Sequence, residues 1–211
     1  VSKKDKGLTK IVVVLDRSGS MNSIKTDAIG GFNTFVEEQK KVPGKAVLTL
    51  AQFDHEYEVV YEDVPLEDVP ELTEDTFIPR GYTALLDAIG MSIGNEQTKI
   101  AAASEEDRPE KVLVAILTDG HENKSKEYDK SKVFEMVEKV QKDGWEVLYL
   151  GADKASIDDA AAYGVCRKNA YCFDGNYVNA DGITVSGCAD SFRTMSSNST
   201  SYRASNTTIK S

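Results

Sequence analysis

Asp16, Ser18 and Ser20 stand at alternate positions in the stretch VVVLDRSGSMNSI (12–24), directly after four apolar β-formers. A second acid closes a similar run: in AILTDG the apolar residues end in Thr118-Asp119-Gly120. In an open α/β sheet, ligands bind beyond the carboxyl ends of the strands, where the strand order reverses. If the two strands are neighbours at that reversal, Asp16 and Asp119 face one crevice. Two carboxylates held together there repel each other unless a proton or a cation intervenes. Ser18 and Ser20 add neutral oxygens, and Gly19 is expected to let the backbone turn tightly between them. An all-oxygen donor set with few charges suits a hard divalent cation. Mg²⁺ fits first, octahedral with some waters retained, and Mn²⁺ or Ca²⁺ are the alternates. The competing reading is an aspartate N-cap with small turn residues in front of a helix.

The elements that must position these residues alternate along the chain. Apolar runs at 11–15, 47–53, 112–117, 147–150 and 170–173 read as strands. Ile24, Ala28, Phe32, Phe35 and Val36 fall at helical spacing, as do Leu85, Ile89 and Ile93, then Val133, Val137 and Val140, and finally Cys188, Phe192 and Met195. Near-continuous Val/Ile/Leu strands suit a parallel sheet covered on both faces. The order predicts an α/β, doubly wound fold with helices on both faces. Only Asp54-His55-Glu56 separates the run at 47–53 from the strand-like Tyr57–Tyr61. That gap demands a hairpin, so the mostly parallel sheet should carry one antiparallel edge strand. The acidic segment 62–82, broken by Pro65, Pro70 and Pro79, reads as a solvated excursion with one short helical turn.

Three segments together resemble the von Willebrand factor type A domain. DRSGS (16–20) is similar to the Asp-x-Ser-x-Ser signature that opens that family's metal-ion-dependent adhesion site. RGYTALLDAIG (80–90) resembles the segment carrying the site's threonine, here Thr83, and ILTDG resembles the strand end carrying its last aspartate, here Asp119. The resemblance runs from about Lys10 to Arg203 and implies one domain over 8–203, with flexible termini at 1–7 and 204–211. LGADKASIDDAAAYGV and DSFRTMSSNSTSYR look most like small, single-domain bacterial and phage members. The resemblance implies a Rossmann-like fold and a metal site of Asp16, Ser18, Ser20, Thr83 and Asp119. Ser18 and Ser20 bind directly, and the other three bind directly or through water. One coordination position stays open, for the Asp or Glu of a protein partner.

The remaining features exclude more than they assign. The 211 residues carry a net charge of -10, against a general nucleic-acid binder or an anionic membrane partner. No apolar run approaches the ~20 residues of a membrane span, and the apolar stretch after the charged start is too short for a signal peptide. A cytoplasmic protein is therefore expected, or a virion-associated one if the chain is of phage origin. Cys166, Cys172 and Cys188 match no zinc or disulfide framework and are expected as thiols. His121 and Glu122 could serve as a base or an extra ligand, but a polar loop rim is the favoured reading. Arg17 is expected at the site mouth, His55 in an exposed turn, and Trp145 in partial core. The acids of DKASIDD and Asp181-Gly182 lack the EF-hand spacing and read as loop and helix-start chemistry.

The expected function is a metal-dependent protein-interaction module, not an enzyme. The alternative is a phage or bacterial structural or assembly component whose metal site is incidental. A metal-dependent hydrolase ranks third: an Asp-x-Asp phosphatase would need an acid at position 18, and no phosphate-binding glycine loop is present.

Overall fold

Strand β1 (Thr9–Asp16) is buried along its whole length, and its alternate side chains serve two different cores. The computed structural model describes residues 7–119, 121–151, 153–172, 176–178 and 184–210. After β1 come α1 (Lys25–Lys40), β2 (Ala46–Phe53), β3 (Tyr57–Pro65) and α2 (Leu85–Ala102). Then follow β4 (Lys111–Leu117), α3 (Lys130–Lys142), β5 (Glu146–Gly151), α4 (Lys154–Ala162), β6 (Ala170–Cys172) and α5 (Gly187–Ala204). Ile11, Val13 and Leu15 share a cluster with Phe32 and Phe35 of α1 and Phe192 and Met195 of α5. Val12 and Val14 face the other way, towards Leu85, Ile89 and Ile93 of α2 and Val133, Val137 and Val140 of α3. The period of two along the strand thus decides which helices cover which face.

The six-stranded sheet has the order β3-β2-β1-β4-β5-β6. All pairs are parallel except β2 with β3. This is the expected mostly parallel sheet with one antiparallel edge strand. The order reverses between β1 and β4, so the ends of those strands open on one crevice. The site-bearing strands are neighbours as required, with Leu15 opposite Leu117.

Several expectations need correction. The edge strand β3 runs on to Pro65 rather than stopping near Tyr61. It does so through an irregular register in which Asp63 takes a positive φ of 51°, and Pro is tolerated at a strand edge. The rest of the 62–82 segment is less solvated than its charge implied. After one short helical turn at Leu66–Asp68, Leu66, Val69, Leu72 and Phe77 are buried against the α1 core. Asn33 of α1 fastens the segment: its amide donates to the Leu72 carbonyl (2.9 Å) and its Oδ1 accepts from the Leu72 N–H (2.8 Å).

Residues 205–210, beyond α5, lie against the rest of the fold. The buried Lys111 ammonium donates to the carbonyls of Tyr202 (2.8 Å), Arg203 (2.7 Å) and Ser205 (2.6 Å), closing the C-terminus of α5. Ile209 N–H then reaches the Glu110 carbonyl, and Lys210 N–H that of Asp143.

A short hairpin of β7 (Asn176–Val178) and β8 (Thr184–Ser186) precedes α5 and was not expected. Phe173, Asp181 and Gly182 lie outside the described residues, and so does the side chain of Cys188. Cys166 is a free thiol at the surface, and Cys172 is buried in β6. Trp145 is buried, while His55 is exposed in its turn. Among the described residues, no helix is long and apolar enough to cross a membrane.

Candidate metal centre

Asp16 ends β1 at the sheet's reversal, fully buried, and both of its oxygens are occupied. Oδ1 accepts from the Ser18 N–H at 2.6 Å, and Oδ2 accepts from the Thr118 hydroxyl at 2.5 Å. Ser18 precedes a helical turn at Gly19–Ile24, yet no side chain caps that turn. This weighs against the N-cap reading. The Ser18 hydroxyl instead lies 3.1 Å from that of Ser20, which donates to Asp119 Oδ1 at 2.8 Å. Asp16, Ser18, Ser20 and Asp119 therefore form one connected group of oxygens, assembled from the ends of two neighbouring strands.

The loop that carries Thr83 lies against the loop that carries Ser18. Arg80 N–H donates to the Arg17 carbonyl (2.7 Å) and Gly19 N–H to the Gly81 carbonyl (3.3 Å), laying the 80–83 loop across the 17–19 loop. Gly81 has a φ of 69°, and an added Cβ would sit 2.5 Å from His55 Nδ1, so the crossing needs glycine there. Gly19 differs from expectation. It has no left-handed φ, and an added Cβ would meet the Gly81 carbonyl only at an ordinary contact distance of 3.4 Å.

Beyond Thr83, the loop after Asp119 is fastened to the start of α2. Asn123 Oδ1 accepts from Thr83 N–H and Asn123 N–H donates to the Thr83 carbonyl, both at 3.0 Å. Helix α2 has no capping side chain of its own. Glu122 supplies one from outside: Oε2 accepts from Leu86 N–H (2.9 Å) and the Ser125 hydroxyl (2.7 Å), and Oε1 from the N–H groups of Lys124 (2.8 Å) and Ser125 (2.7 Å). Asp87 answers from the helix, accepting from the N–H groups of 126, 127 and 128. Glu122 is thus more than a polar rim. His121 does lie exposed on the rim, 3.0 Å from Asp159 of α4. Asp153 caps α4 in a capping box with Ser156, the helix-start role expected of DKASIDD.

The electrostatics follow from burial. Burial raises the Asp16 carboxyl to about 6; the Thr118 and Ser18 hydrogen bonds oppose the rise, and the nearby Asp119 charge adds to it. Asp119 is raised too, by burial, against the bond from Ser20. Among the described residues, no lysine or arginine pairs with either acid. Arg17, expected at the mouth, is buried and turned away, with Nε on Asp54 Oδ2 (3.1 Å) and Nη1 on Glu58 Oε2 (2.6 Å). A pair of acids sharing a crevice, short of positive charge and surrounded by hydroxyls, fits a hard divalent cation. Asp54, His55 and Glu56 also bring donor atoms within 4.8 Å of one another. There, however, the Asp54 carboxylate already balances Arg17 and Arg80.

Sequence reasoning missed Thr118, Asn123, Glu122 and the Asp54 contacts. Two signals were available: an arginine beside each proposed ligand segment, at 17 and 80, and acids at the alternate positions 54, 56 and 58 of the hairpin between them.

No family model matches the sequence, and neither does any curated protein. Solved structures do. Proximal thread matrix protein 1 from the mussel byssus superposes with a TM-score of 0.59 at 15% identity, over 97% of this chain and 47% of that one. A manganese-loaded TRAP protein of Plasmodium vivax gives 0.57 at 16% identity, over 81% and 70%. A form of the mussel protein described with a zinc-occupied MIDAS motif gives 0.51 at 16% identity, over 79% and 41%. This chain spans about half the length of the mussel protein. At such identities the likeness is one of fold, and the fold is the von Willebrand factor type A fold.

Proposed function

We propose that this chain is a metal-dependent protein-interaction module. The observation that carries the reading is the Asp16–Asp119 pair, raised in proton affinity, tied through Ser18 and Ser20 and unmatched by a described cationic side chain. Asp16, Ser18, Ser20, Thr83 and Asp119 would hold Mg²⁺, with Mn²⁺ a close substitute. The manganese and zinc named for the structural neighbours support a divalent ion in this fold. When bound, the ion supplies an electrophilic position that a partner's Asp or Glu carboxylate fills. The chain's own residues set the rest: the two aspartates balance the 2+ charge, the serines orient, and the Asn123 and Glu122 contacts hold the loops.

The reading includes no hydrolytic step. Ser18 stands where an Asp-x-Asp phosphatase carries its second acid, and His121 is engaged with Asp159 on the rim. Metal-dependent turnover of a phosphoester, lost in His121→Ala, would overturn that part.

Titration calorimetry tests the site. Mg²⁺ or Mn²⁺ should give a binding heat with the wild type and none with Asp16→Ala; equal heats sink the proposal. The heat should also depend on pH. Burial holds a proton on Asp16 up to about pH 6, and the ion must displace it. Affinity should be flat above that pH and fall roughly tenfold per unit below it. Pull-downs with and without EDTA would then identify the partner.

A further inference from the structure

We propose that Asp54 is a positioning residue that keeps the two halves of the metal centre in register, a role that rests on the metal-binding reading above. Its carboxylate is fully buried in the turn between β2 and β3. Oδ2 accepts from Arg17 Nε at 3.1 Å and from Arg80 Nε at 2.8 Å. Arg17 lies between Asp16 and Ser18, and Arg80 lies three residues before Thr83. A single oxygen thus joins the Asp-x-Ser-x-Ser loop to the threonine loop.

The other contacts of the turn make the joint stiff. Oδ1 accepts from Glu56 N–H at 2.8 Å and faces His55 Nδ1 at 3.0 Å. The Asp54 carbonyl accepts from Ala84 N–H, immediately after Thr83, at 2.8 Å. The far arms of the two guanidinium groups are held as well, Arg17 on Glu58 and Arg80 on Glu56. An arginine fork gripped at both ends fixes a plane, not merely a distance. Without the central charge, two guanidinium groups would face each other across a buried site. Arg80, half-exposed, would swing out to water and take the 80–83 loop with it.

A positioning role acts through Thr83, whereas a general loss of stability does not. Mn²⁺ affinity is therefore measured by calorimetry for Asp54→Asn in the wild-type and Thr83→Ala backgrounds. Asp54→Asn should weaken binding roughly 10- to 100-fold in the first and by less than about twofold in the second. Unchanged affinity, or equal losses in both backgrounds, overturns the proposal. If Asp54→Asn does not fold, Arg80→Gln removes one arm only and should show the same dependence on Thr83. A metal-free measurement separates this proposal from the metal reading itself. Hydrogen exchange in EDTA should show Arg80→Gln accelerating the Gly19 amide across the loop crossing as well as residues 80–84. Acceleration confined to 80–84 overturns the clamp. If the wild type takes up no Mn²⁺, the metal reading fails and the exchange result alone decides whether Asp54 couples the loops.

Discussion

Asp16→Asn should make the protein more stable near pH 7 in EDTA, while abolishing its response to divalent metal. The folded state raises the Asp16 carboxyl from 3.8 to about 6, mainly by burial. Between those values the native protein holds a proton that the unfolded chain has released. Stability from this group is therefore highest below about pH 4. It declines as pH rises towards 6, and the loss is complete above that. The penalty near pH 7 is about 2–3 kcal/mol, from roughly two pKa units at about 1.4 kcal/mol each. Asparagine removes the buried charge and keeps the shape. Its Oδ1 can still accept from Ser18 N–H, and the Thr118 hydroxyl can turn to accept from the new amide. The gain corresponds to about 4–12 °C in a domain of this size. Metal at 100 times Kd adds about 2.7 kcal/mol to the wild type and nothing to the variant, bringing the two level, and at 1,000 times Kd the gain of about 4.1 kcal/mol should reverse the ranking. Thermal melts in EDTA and in excess Mg²⁺ check both halves. A variant that melts lower than the wild type in EDTA would show that the buried carboxylate is not a source of strain.

Glu122→Ala should be among the most damaging substitutions outside the hydrophobic core. The side chain takes four donors, from Leu86, Lys124 and both the backbone and hydroxyl of Ser125. Removing it uncaps α2 directly behind Thr83 and frees the loop that follows Asp119. The expected loss is about 2–3 kcal/mol, moderated because the group is only half-buried and water can replace some bonds. His121→Ala, one residue earlier but on the exposed rim, should stay within about 0.5 kcal/mol. Urea unfolding of the two variants side by side makes the comparison. Equal and small effects would mean that Asp87, from the helix side, holds the junction unaided.

The contrast between Glu122 and His121 shows what local sequence can carry. Strands were legible where an apolar run persisted, as in β1 and β4, and helices where a period of 3.6 did, as in α3. The polar three-residue strands β7 and β8 offer too few side chains for a period to appear. The extension of β3 depends on an irregular register at Asp63, which is decided by the partner strand rather than by the residues themselves. The oxygens at 16, 18, 20 and 119 could be read because each sits at a recognisable strand end. Thr83 came from the family resemblance. The supporting shell could not be read in the same way. Asp54 gains its role from Arg17 and Arg80, and Glu122 from Leu86, contacts spanning 26 to 37 positions that no local pattern encodes. Arg17 was misplaced for that reason, its charge being used inside the fold rather than at the mouth.

The pairing of β1 with β4 has a kinetic consequence. Asp16 meets Thr118 across 102 positions, and Ser20 meets Asp119 across 99. The β2–β3 hairpin and the helices close on short loops, whereas this contact must close a long one, at a higher cost in chain entropy. The metal's ligands should therefore come together late, leaving an ion little to grip in the transition state. Refolding rates with and without Mn²⁺ should nearly coincide, while unfolding slows in proportion to the affinity. A refolding rate that rises with metal would mean that the crevice forms early. On the expected outcome, the ion lengthens the lifetime of the native state without hastening its arrival.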